Sequence, residues 1–106
     1  MNSFWNGTVV GTLVQPRLYG HWAPRGVVIG CQKFDQSPLG DFITVAKVVN
    51  GQMTDEIYSF RAFEAWGGVK FGISEVSCLE LEHLQRKCGI PDDQAEIRER
   101  FSKSCK

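Results

Sequence analysis

Seven consecutive residues, Tyr19 to Arg25, set two rings, an imidazole and a guanidinium beside a proline turn. Tyr19, His21, Trp22 and Arg25 combine large apolar area with polar handles, the makings of a binding hot spot. A loop or sheet edge suits such residues, because a rigid scaffold holds them while they stay accessible. Arg61 and Trp66 can join from the strand side. The plainer alternative is that Trp22 caps the core and Arg25 is merely solvated.

Catalysis and metal binding find less support. His21 and Cys31 form the one Cys/His pair of the β-rich part, and with Asp41 they would suit a small enzyme using a His acid/base. Such partners must meet in space, which spacing alone does not establish. No GxSxG, paired-carboxylate or Gly-rich phosphate motif is present. A buried cysteine and a loop histidine explain the pair more simply, so no catalytic residue is assigned. Cys78, His83 and Cys88 would project from one helix at about 0°, 140° and 280°, because each residue turns ~100°. They cannot share an ion, and no CxxC or HExxH is present. Neither a metal site nor a cofactor is expected.

Nucleic acid needs a separate weighing. Trp5, Trp22, Phe60, Phe63, Trp66 and Phe71 interleave with Arg17, Arg25, Arg61 and Lys70, and could stack bases on a small barrel. The same rings could instead fill a core. Leu84 to Phe101, cornered at Gly89-Ile90-Pro91, has the outline of a helix-turn-helix. Its second helix would open with Asp92, Asp93 and Glu96, where a recognition helix meets phosphate. Lys and Arg number 12, as do Asp and Glu, so the formal net charge is zero. Duplex binders need a basic face, so composition argues against a nucleic-acid partner. Weak self-repulsion leaves a homo-oligomer open.

The elements that must position these residues change character near Ser74. Residues 1–73 are β-rich and residues 74–106 form a helical tail, in one domain of 106 residues. A first strand is expected from about Phe4 to Val14, ended or edged by Pro16. A second starts at Val27, and Gly67 to Ile73 gives the last. Asp41–Val49 and Gln52–Phe63 flank Asn50-Gly51, the strongest short hairpin signal, since a type I′ turn needs positive φ at both positions. That turn sets Val45 opposite Glu56 and Ile43 opposite Tyr58, which leaves neither face purely apolar. Ser77 and Glu80 read as a capping box, Gly89 as a left-handed C-terminal residue, and Pro91 as a stop. A second helix is expected from Asp92 or Asp93.

Four cysteines are read as free thiols, because Cys78 and Cys88 would lie about 15 Å apart on one helix. The first residues have no basic and apolar leader pattern, and no apolar run approaches ~20 residues. A cytoplasmic protein without membrane association is expected. The fold class is α+β: a small, strongly curved, mostly antiparallel sheet or open barrel of about five strands, followed by two short C-terminal helices. The expected function is non-catalytic binding of a small molecule or protein partner through Tyr19, His21, Trp22 and Arg25, with Arg61 and Trp66. A small His-based enzyme and a nucleic-acid-binding small barrel are the alternatives.

Overall fold

The computed structural model describes residues 4–34 and 36–90. Its strands are β1 (Thr12–Leu18), β2 (His21–Trp22), β3 (Gly26–Gln32), β4 (Phe42–Val49), β5 (Gln52–Arg61) and β6 (Ala65–Ile73). A 3-10 turn, Ala62–Glu64, joins β5 to β6, and a helix, α1 (Cys78–Cys88), follows. Every pairing is antiparallel. β6 runs along one edge of β1, while β2 and the start of β3 share the other; β4 and β5 continue the sheet. The sheet curls into a half-barrel, as the glycine-rich β pattern predicts. One helix is found among the described residues; the second, expected from Asp92 or Asp93, lies outside them. No helix among the described residues is long and apolar enough to cross a membrane.

The first strand is corrected. Phe4 to Gly7 and Val10 to Gly11 are turns with irregular chain between them, and β1 begins only at Thr12. Gly7 and Gly11 take φ of 74° and 97°, a backbone that no regular strand sustains. Pro16 sits inside β1 rather than ending it, beside a register shift between Pro16 and Leu18 that accommodates its missing N–H.

The Asn50-Gly51 hairpin forms as expected, with φ of 53° and 77°. Val49 faces Gln52 and Val48 faces Met53, but the register then shifts: Ala46 faces Ile57, Val45 faces Tyr58 and Ile43 faces Phe60. Two extra residues on β5 are absorbed beside Lys47. Thr54 Oγ1 donates to the Lys47 carbonyl at 2.7 Å, and Lys47 Nζ meets Glu56 at 3.2 Å. This bulge removes the mixed faces that the unshifted register implied. Ile43–Phe60 and Val45–Tyr58 become apolar cross-strand pairs, while Thr44 and Ser59 share a hydrogen bond at 3.1 Å.

The inner face of the curl is built on these pairs. Trp5 is fully buried and meets Phe60 edge to face at 5.5 Å. Its Nε1 donates to the Gly67 carbonyl at 3.0 Å. Gly68 approaches so closely that a Cβ there would lie 2.7 Å from the Trp5 ring. Each buried aliphatic or aromatic side chain contributes about 1.5–3 kcal/mol through area removed from water. α1 covers the opposite face over β3. Leu81 and Leu84 are buried, Gln85 Nε2 donates to the Ile29 carbonyl at 3.0 Å, and Ile90 occupies the space above Gly30. Ser77 caps α1 by accepting from the Leu79 amide, and Gly89 closes it at φ 69°.

Cys31 and Cys88 are free, but Cys78 is disulfide-bonded. The reading of four free thiols is therefore overturned. Spacing along one helix excludes only a partner on that helix, and bridges are made across a fold.

Candidate functional site

Between β1 and β2 the chain turns in two residues, Tyr19 and Gly20, because Leu18 pairs with His21. Both loop residues have positive φ, 50° and 84°, as a type I′ hairpin requires. Gly20 does this freely, whereas tyrosine does not: a Cβ in the left-handed region crowds the following carbonyl. The Tyr19 amide donates to the Glu64 carbonyl at 3.3 Å. Its ring stands edge to face with Trp66 at 5.0 Å, and Trp66 Nε1 donates to the Phe63 carbonyl at 3.1 Å.

On β1, Val14 and Pro16 turn inward, so Gln15 and Arg17 turn outward. Trp22 pairs directly with Arg17 and so shares its face. The Arg17 guanidinium lies 5.6 Å from the centre of the Trp22 ring, and its Nε donates to the Gly20 carbonyl at 3.2 Å. Arg25 lies over Phe71 of β6 at 4.6 Å. These rings remain more than half exposed: Tyr19 is 52% exposed, Trp22 56% and Trp66 64%, against 0% for Trp5. Trp22 therefore does not cap the core.

Of the six residues singled out, Tyr19 and Trp66 touch, Trp22 meets Arg17, Arg25 meets Phe71, and His21 is exposed opposite Leu18. Arg61 meets a different pair of rings. Its guanidinium covers Phe34 at 4.7 Å and Phe42 at 5.1 Å. Arg17 and Phe71 complete the face and were absent from the expected site. Had Tyr19-Gly20 been read as a hairpin turn, Arg17 would have followed as the cross-strand neighbour of Trp22.

Beyond Trp66 a groove of about 860 Å³ opens, lined among others by Lys33, Phe34, Leu39, Asp41 and Phe63. Asp41 is a structural hub there. Its carboxylate accepts from the Gly7 amide at 2.7 Å and the Phe34 amide at 3.2 Å, and its own amide donates to Asn6 Oδ1 at 2.9 Å. The buried Cys31 thiol also donates to it at 3.8 Å. Burial, reinforced by the Asp41 carboxylate, pushes the Cys31 thiol up to about 11. A thiol held protonated in this way is a poor nucleophile near neutral pH. It bonds Asp41, while His21 stands exposed on β2, so the His21/Cys31 pairing finds no geometry to work with. Among the described residues no group of three His, Cys, Asp or Glu could hold a metal ion.

In comparisons with protein-family models, curated proteins and solved structures, nothing matches this chain.

Proposed function

We propose that this chain is a non-catalytic binding module, and that it takes its partner on the outer face of β1, β2 and β6. The observation that carries this reading is Tyr19. A bulky residue is held in a left-handed backbone at a hairpin tip, with its ring half exposed against another exposed ring. Backbone strain of this kind costs about 1–2 kcal/mol and gathers at functional sites. Turn formation does not call for tyrosine, and core packing does not use it. Arg17–Trp22 and Arg25–Phe71 extend the same surface with rings held flat beneath cations.

A small molecule is the second reading, favoured by the groove beyond Trp66. Phe34, Phe63 and Trp66 supply apolar walls, and Lys33 a charge. A thermal-shift screen against metabolites, acidic and aromatic peptides and oligonucleotides tests both. Ligand at about 100 times its dissociation constant adds ~2.7 kcal/mol, which in a domain this size moves the midpoint by roughly 10–20 °C. A hit lost in a folded Trp22→Ala variant supports the outer face. One lost only in Phe34→Ala supports the groove. A hit that survives both changes places the site elsewhere, and a flat screen counts against either.

A further inference from the structure

The geometry points to single-stranded nucleic acid as the partner of the face formed by β1, β2 and β6. This inference rests on that face being the binding surface and adds the chemistry of its occupant. The first acidic residue of the chain is Asp35, and none lies between Ala65 and Ile73. The face therefore carries Arg17 and Arg25 with no carboxylate from its own strands. Lys70, the other cation of these strands, turns inward over Phe4 and Trp5 at 4.6 and 5.5 Å. The nearby acids are committed or distant. Glu64 directs its carboxylate to the Arg61 amide at 3.0 Å, and Asp55 pairs with Lys87 at 2.8 Å on the helix side. A net charge of zero over the chain thus still leaves these strands with cations and no acid of their own.

The occupant must offer flat faces and negative charge in alternation. A single strand offers a base and a phosphate at every step, and stacking on aromatic rings tolerates any sequence. A guanidinium lying on a ring keeps its planar edge of donors for phosphate oxygens. An acidic peptide brings the charge without a ring at each step. A neutral sugar chain has no use for guanidinium, and a duplex hides its base faces within the stack. Trp66 and Phe71 stand near the two ends of β6, both exposed, each beside a register shift in its pairing with β1. Glu75 and Glu80 line the next groove past Phe71 and mark where a polyanion must stop.

The test is fluorescence anisotropy of a labelled oligothymidylate of about 16 nucleotides with the full chain, in a salt series from about 50 to 200 mM. Two phosphate contacts at about 0.7 each predict that the logarithm of affinity falls by about 1.4 per decade of salt. Trp22→Ala and Arg25→Ala should each weaken binding roughly tenfold. Tyr19→Asn, which suits the turn and keeps the fold, should also weaken it. Lys87→Ala, a cation removed from the helix side, should leave it unchanged. Absence of binding at the lowest salt overturns the inference, as does equal binding of a duplex or full affinity in Trp22→Ala and Arg25→Ala. If the oligonucleotide fails while a peptide or metabolite hit is still lost in Trp22→Ala, the nucleic-acid inference falls and the outer face stands. If nothing depends on Trp22, both fall.

Discussion

Two hairpins in this molecule share one geometry and differ in what occupies it. Asn50-Gly51 and Tyr19-Gly20 are each two-residue loops with positive φ at both positions. In the first, each residue suits its backbone: asparagine tolerates the left-handed region and glycine enters it freely. In the second, a tyrosine occupies the same conformation at a cost, and its ring remains half exposed. One turn is chosen for the fold alone. On the proposed reading the other accepts strain to present a ring, as a surface under a second demand would and one that only has to fold would not.

The sharpest way to break this contrast is to ask whether the Tyr19 side of the molecule is structural after all. Trp5→Ala should cost about 3–5 kcal/mol in denaturant unfolding, since it empties a fully buried site against Phe60. Trp22→Ala should cost less than about 1 kcal/mol, the worth of an exposed cation–ring contact. Comparable losses would make the outer rings part of the core.

The interior between the two hairpins should show its own pH response. The Cys31 thiol ionises near 11 when folded and near its ordinary 9.0 when unfolded. Its contribution is full below pH 9 and lost as pH rises toward 11, by about 2–3 kcal/mol. Burial raises the Tyr58 hydroxyl as well, in the same direction. Unfolding measured across this range should steepen above pH 9 in the wild type and be flatter between pH 9 and 10 in Cys31→Ala.

Exchanging the turn residues sharpens the comparison directly. Asn50→Tyr should destabilise by about 1 kcal/mol, because it recreates at the tip of β4 and β5 the strain that Tyr19 bears. The reverse change is smaller and opposite in sign. In a Trp66→Ala background, where the ring contact is already gone, Tyr19→Asn should stabilise by about 0.5–1 kcal/mol. Equal midpoints for the two would mean that Tyr19 is not strained.

The sequence makes one of these hairpins legible and hides the other, for a physical reason. Asn-Gly declares its backbone conformation, so the Asn50 turn and its first two pairs can be read. Tyr-Gly does not, so Tyr19 to Arg25 reads only as an aromatic segment, and Arg17 is missed as the neighbour of Trp22. The bulge at Lys47 is illegible for a similar cause: it is fixed by the Thr54 hydroxyl and by the need to bring Phe60 opposite Ile43. The α1 stop at Gly89 is local and is read correctly. The disulfide of Cys78 is not legible in spacing along one helix, which excludes only a partner on that helix. Tyr19, Trp22 and Trp66 can be nominated from their types, whereas the rings that Arg61 covers, Phe34 and Phe42, follow from where β5 carries it.

The most direct measurement is the set of tryptophan indole N–H signals in a nitrogen-15-labelled sample titrated with each ligand that raises the thermal midpoint. The three tryptophans report different places, with Trp5 buried, Trp22 exposed beside Arg17, and Trp66 exposed between Tyr19 and the groove. If that face is the binding surface, the Trp22 and Trp66 signals move with ligand while the Trp5 signal stays in place. Movement of Trp5 alone, or a stabilising ligand that moves none of the three, would contradict it.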